Sequence, residues 1–96
     1  MKTREEILAV LAKRKPELAR RFPLRRLALF GSYARGDQQP DSDVDVLVEV
    51  DPSIGLEFVS LADAIEEALG LPTDVVSRRA VSPRGWSVIE PELIDV

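Results

Sequence analysis

Residues 27–50, LALFGSYARGDQQPDSDVDVLVEV, decide how this chain folds. An apolar run closes on Gly31-Ser32, a polar stretch follows, and Ser42-Asp43-Val44-Asp45 opens a second apolar run. The pattern predicts strand, phosphate-binding turn, loop, strand. Asp43 and Asp45 are two apart, so on a strand both side chains face the same way, roughly 6.5–7 Å apart along the chain. Two carboxylates on one face repel unless positive charge lies between them, and a pair of Mg²⁺ ions about 3.5–4 Å apart meets that need. Gly31 permits close backbone approach. Ser32 is expected to cap a short helix whose free N–H groups face an anion. Phosphate donors at one strand end and metal ligands at the next form a site for a nucleoside triphosphate.

On the N-terminal side of this stretch, Thr3-x-x-Glu6 is a capping-box pattern. Ile7, Val10, Leu11 and Leu18 follow at helical spacing, with Lys13, Arg14 and Lys15 clustered toward the helix end. Pro16 is expected to break that helix and start a short second one from Glu17 to Arg21. Leu24 to Phe30 then reads as the first strand. Arg20, Arg21, Arg25 and Arg26 could attract a triphosphate or an acidic partner, but a solvated face is the preferred reading, since charged residues are mostly exposed.

On the C-terminal side, Asp43 to Val50 suits a central strand. Gly55 to Leu69 predicts a helix with Phe58, Leu61, Ala62, Ile65 and Leu69 on one stripe and Gly70 as its stop. Thr73 to Val76 predicts a short β-branched strand. Asp74 alone would read as an edge residue; beside Asp43 and Asp45 it reads as a third carboxylate on the same sheet face. Ser82-Pro83 predicts the start of a last short helix that ends near Glu90. The tail, Leu93 to Val96, is apolar and must pack on something. Trp86 and Ile94 could form an oligomer interface, but closure of the small core is the preferred reading.

The chain has 96 residues and a net charge of −4, with no Cys and no His. Such a length predicts a single domain over residues 1–96. An acidic chain is a poor sequence-independent binder of DNA or RNA, because that affinity comes from Lys and Arg releasing counterions. Without Cys or His there are no disulfides, thiol nucleophiles or imidazole bases, so a metal site must use oxygen ligands that suit Mg²⁺, Mn²⁺ or Ca²⁺. A secretory signal and a membrane span are not visible, and a cytoplasmic location is the default expectation.

Gly31-Ser32-Tyr33-Ala34-Arg35-Gly36, then Ser42-Asp43-Val44-Asp45, then Asp74 on a later strand, resembles the minimal nucleotidyltransferase family of the DNA polymerase β-like superfamily. A lone Asp-x-Asp is weak, whereas the compound pattern is specific. The order of elements is similar over essentially the whole chain, including Arg84 after Pro83. The tail with Trp86 and Pro91 is less typical, and no role is carried over to it.

The resemblance implies an α/β (α+β) fold, a small mixed β-sheet flanked by helices. It implies nucleotidyl transfer from a nucleoside triphosphate, with ATP as the expected donor, using two Mg²⁺ (or Mn²⁺). Asp43 and Asp45 would hold the metals. Asp74 would bind one of them and help deprotonate or orient the attacking hydroxyl. Ser32 and the Gly31 backbone would hold the β- and γ-phosphates. Arg35 is a candidate phosphate contact, with a structural pairing to Asp37 or Asp41 slightly favoured. Many minimal members are paired with a HEPN-domain toxin and act as its antitoxin by placing AMP on a toxin tyrosine, so the resemblance implies a HEPN partner. The alternatives are an antitoxin that neutralises by contact alone, or a transferase acting on a small molecule.

Overall fold

The computed structural model describes residues 2–96. Helix α1 spans Arg4–Arg21 and opens with the capping box: the Glu6 N–H donates to Thr3 Oγ1 (3.2 Å) and the Thr3 N–H donates to Glu6 Oε1 (2.9 Å). Pro16 does not break it, contrary to the sequence expectation. Ala12 and Pro16 both lie on the exposed face, so the Ala12 carbonyl that loses its donor can take one from water. Beyond Pro16, Leu18 and the helix-ending Phe22 are buried. Each is worth about 1.5–3 kcal/mol of burial, enough to offset the roughly 3 kcal/mol cost of an interior proline.

Among the described residues four strands form one sheet. β1 (Leu24–Phe30), β2 (Val44–Val50), β3 (Thr73–Ser77) and β4 (Ile94–Asp95) lie in the order β3-β2-β1-β4. β1 runs antiparallel to β2 and β4, while β2 and β3 are parallel. The sheet is therefore mixed. The parallel pair needs a crossover, and helix α3 (Glu57–Leu69) supplies it, ending on Gly70 at φ +67°. Helix α2 (Ser32–Arg35) is a single turn between β1 and β2. Helix α4 (Pro83–Ile89) is capped by Ser82 Oγ, which accepts from the Gly85 N–H (3.0 Å). A 3₁₀ turn over Glu90–Glu92 leads into β4.

Strand alternation divides the sheet into two faces. Leu27, Leu29, Val44, Val46, Val48 and Val50 join Ile7, Leu11, Leu61, Ile65 and Leu69 in the core beneath α1 and α3. On the other face, Arg26, Ala28 and Phe30 stand opposite Glu49, Leu47 and Asp45. The apolar tail is a strand, not merely a packed end. Ile94 pairs with Leu29 and packs against the core, and the Val96 N–H donates to the Leu27 carbonyl (3.1 Å). Trp86 departs from the core-closing reading: it is half-buried outside the main cluster, with the Arg78 guanidinium 3.9 Å above its ring. The arginine cluster is tied to acids at the surface: Arg25 to Asp51 (2.7 Å), and Arg26 to Asp95 (2.7 Å) and Glu49 (3.0 Å). Among the described residues no helix is long and apolar enough to cross a membrane.

Candidate nucleotide-binding and catalytic site

The end of β1 and the starts of β2 and β3 meet at one edge of the sheet. Asp45 is the register partner of Phe30 on β1 and of Asp74 on β3. Asp43 sits just before β2, which begins at Val44, and the Val44 N–H donates to the Pro72 carbonyl (2.9 Å), carrying the pairing of these two segments beyond the strands. Asp43 and Asp74 are exposed; Asp45 is half-buried between the buried Val44 and Val46. The loop before Asp43 is held by Ser42, whose Oγ accepts from the Gln39 N–H (2.9 Å).

Gly31 has φ +79° and ψ −157°, a conformation essentially confined to glycine. A Cβ placed there would lie 2.1 Å from Asp45 Oδ2, so the glycine backbone forms one wall of the Asp45 carboxylate pocket. The helix that follows begins at Ser32 itself, and Gly31 occupies the cap position with no side-chain hydrogen bond. Ser32 is thus the first helical residue rather than the cap expected from the sequence, because the chain leaves β1 and turns helical within one residue.

Burial pushes the Asp45 carboxyl above its ordinary range, and the negative charges of Asp74, Asp43 and Glu92 push the same way, opposed by Arg35. The carboxylates therefore share one electrostatic environment. Arg35 is not free to answer it alone. Its guanidinium is bound by Asp37 (3.1 Å) and Glu92 (2.8 Å), so its second partner is Glu92 and not Asp41. Hard oxygen donors short of positive charge suit Mg²⁺ or Mn²⁺. Among the described residues no three acidic side chains are gathered into a metal cage. Mg²⁺ is ordinarily held by one or two carboxylates together with substrate phosphates, and this open donor set fits a metal that arrives with a triphosphate.

Glu92 is the residue that sequence reasoning missed. Its Oε1 accepts from the Gly31 N–H (3.1 Å) while Oε2 accepts from Arg35 (2.8 Å). Nothing in its local spacing marks it. The signal lies in the β1–β4 register: continuing from Leu29 opposite Ile94 by two residues brings Glu92 opposite Gly31.

Comparison with known proteins identifies the family and the fold. The model of the nucleotidyltransferase domain family matches residues 11–94. The chain is 43% identical to the protein adenylyltransferase MntA of Thermococcus cleftensis over 83 residues, 84% of this chain and 83% of that protein. It is 40% identical to MJ1379 of Methanocaldococcus jannaschii, a candidate protein adenylyltransferase, over the full length of both. The structure of a minimal nucleotidyltransferase superposes with a TM-score of 0.67 at 33% identity, covering 97% of this chain and 88% of that one. A toxin–antitoxin structure with AMP-PNP gives 0.65 at 26% identity, covering 86% of this chain and 69% of that one. With its Gly-Ser turn, its Asp-x-Asp strand and these relatives, the chain belongs to the nucleotidyltransferase domain family and is an enzyme of the minimal nucleotidyltransferase type.

Proposed function

We propose that this protein transfers AMP from ATP to a hydroxyl group, in the presence of Mg²⁺, and that the acceptor is a tyrosine of a HEPN-type toxin which it thereby neutralises. The observation that carries the reading is Asp45 held against Gly31 with Asp74 as its cross-strand partner, two acids beside a turn built for close approach. The relatives named as protein adenylyltransferases and the toxin–antitoxin fold neighbour with its ATP analogue support the donor and the kind of acceptor.

In this reading the acceptor oxygen attacks the α-phosphorus, the bond to the bridging oxygen breaks, and pyrophosphate leaves. Asp43 and Asp45 would hold Mg²⁺, which would lower the acceptor's pKa and stabilise charge on the leaving pyrophosphate. Asp74 receives or orients the hydroxyl proton. Ser32 and the turn backbone bind the outer phosphates, while Arg35, engaged by two carboxylates, keeps the turn in shape more than it contacts phosphate. A partner protein supplies the acceptor. The overall charge of −4 disfavours direct nucleic-acid binding.

The test is mass spectrometry of a HEPN-type toxin after incubation with this protein, ATP and Mg²⁺. A gain of one or more AMP units, lost with Asp45→Asn, is expected. An unchanged mass with every nucleoside triphosphate, despite a tight complex, would replace transfer with neutralisation by contact.

A further inference from the structure

We propose that Glu92 is a positioning residue for nucleotide binding: its carboxylate fixes the Gly31–Ser32 turn and, through Gly31, the wall against which Asp45 is set. The inference rests on the nucleotidyl-transfer reading of the site. Glu92 makes two contacts of different kinds, one to a backbone N–H (3.1 Å) and one to the Arg35 guanidinium (2.8 Å). Arg35 follows Gly31 by one helical turn, and its own N–H donates to the Gly31 carbonyl (3.0 Å). Glu92 therefore grips both ends of the turn. Gly31 in turn abuts Asp45, with the space for a Cβ already filled by Asp45 Oδ2 at 2.1 Å. A displacement of Gly31 is passed directly to that carboxylate.

Glu92 could instead be a stand-in for phosphate, an internal anion that swings out when a triphosphate arrives. The anchoring of its segment argues against this. Two residues on, β4 is paired with β1; Arg26 grips Asp95 with two hydrogen bonds (2.7 and 3.1 Å); and Lys15 Nζ donates to the Val96 carbonyl. The Glu92 side chain is itself only 24% exposed. A residue on a segment pinned at this many points is a strut.

The experiment compares Glu92→Ala and Glu92→Gln in the full chain by amide exchange and by titration with α,β-methylene-ATP and Mg²⁺. Glutamine keeps an oxygen acceptor for the Gly31 N–H; alanine removes it. In Glu92→Ala, exchange at Gly31 should rise at least about tenfold, with Leu27 and Val46 amides unchanged, and affinity for the analogue should fall about tenfold. Glu92→Gln should hold Gly31 protected but, with its amide NH2 facing the Arg35 guanidinium, give up that second contact, so affinity should fall about threefold, less than in Glu92→Ala. Unchanged Gly31 exchange in Glu92→Ala overturns the proposal. Tighter analogue binding overturns it too and makes Glu92 the internal stand-in for phosphate. If the parent protein binds no analogue, the nucleotide reading itself fails and this role falls with it. If the parent binds and the alanine variant binds equally well, only the positioning role fails.

Discussion

Replacing Gly31 by alanine imposes two separate penalties. The backbone at φ +79°, ψ −157° costs an L residue about 1–3 kcal/mol. The new methyl would sit 2.1 Å from Asp45 Oδ2, 2.9 Å from its Cγ and 3.1 Å from its Cβ. To reach an ordinary 3.4 Å contact, Oδ2 must retreat by about 1.3 Å, from 2.1 to 3.4 Å. Asp45 is flanked across the sheet by Phe30 and Asp74, so retreat presses it on a ring or on another carboxylate. Overpacking of this kind costs roughly 1–3 kcal/mol more. The sum, about 2–6 kcal/mol, is a large part of the ~5–15 kcal/mol that holds a small domain together. Gly36→Ala is the control: φ is +83°, yet nothing lies within 4 Å of the new Cβ, leaving only a left-handed backbone cost of about 1–2 kcal/mol. At about 4–8 °C per kcal/mol, Gly31→Ala should melt well below Gly36→Ala in calorimetry. Misplacing a group that acts on substrate by about 1 Å costs on the order of 100-fold in rate; on the role proposed for Asp45, transfer of label from α-labelled ATP should fall about that far in Gly31→Ala and hardly at all in Gly36→Ala. Equal melting temperatures, or Gly31→Ala activity within about threefold of the control, would refute the claim that Gly31 is fixed by its contact with Asp45.

Three further outcomes follow from the same contacts. The raised Asp45 pKa means the folded state binds the proton more tightly than the unfolded one, so Asp45 costs stability as pH rises from its ordinary value through the raised one. Asp45→Asn should therefore raise the melting temperature of metal-free protein at neutral pH, by a margin that shrinks toward acid pH, while abolishing transfer; a lower melting temperature at neutral pH would contradict the burial and the repulsion that raise the Asp45 pKa. Arg26→Ala removes the bonds to Asp95 (2.7 and 3.1 Å) and Glu49 (3.0 Å), and should cost only ~1 kcal/mol because the partners are partly exposed. It should nevertheless speed Val96 amide exchange selectively, and unaltered Val96 exchange would show that backbone pairing alone holds β4. Pro16→Ala restores the donor to the Ala12 carbonyl and should stabilise the protein by about 2–2.6 kcal/mol after allowing for the freer unfolded chain; a fall in melting temperature would mean that α1 is bent at Pro16 in a way the packing requires.

What the sequence made legible were the features with local signatures. Thr3 and Glu6 cap each other within one turn; Asp43, Asp45 and Asp74 lie beside apolar strand residues; Gly70 ends α3. The misreadings depend on neighbours distant in sequence. Pro16 is a breaker by propensity, but burial of Leu18 and Phe22 outweighs it. Ile94-Asp95 is too short to announce a strand, and becomes one only because the edge of β1 is open to it. Ser32 looks like a cap because serine favours that position, yet the cap is Gly31, whose missing Cβ leaves room for the Asp45 carboxylate from another strand. Glu92 was invisible for the same reason as β4, since its partners are 57 and 61 residues away.

The division between the two sheet faces explains how so short a chain keeps such a site. In β2, Val44, Val46, Val48 and Val50 supply the helical core, leaving Asp45, Leu47 and Glu49 to the opposite face. Core packing and charge therefore alternate at Val44-Asp45-Val46 and at Val48-Glu49-Val50, while Leu47 is fully buried between them. A slip of one position in register would exchange them, placing carboxylates in the core and valines in the site. The buried valines are thus what hold Asp45 opposite Asp74 and against Gly31. The strain of gathering acids at that edge is tolerable because it is confined to one end, where Asp43 and Asp74 stay exposed and where Glu92, anchored through β4, ties the Gly-Ser turn to the remainder of the sheet.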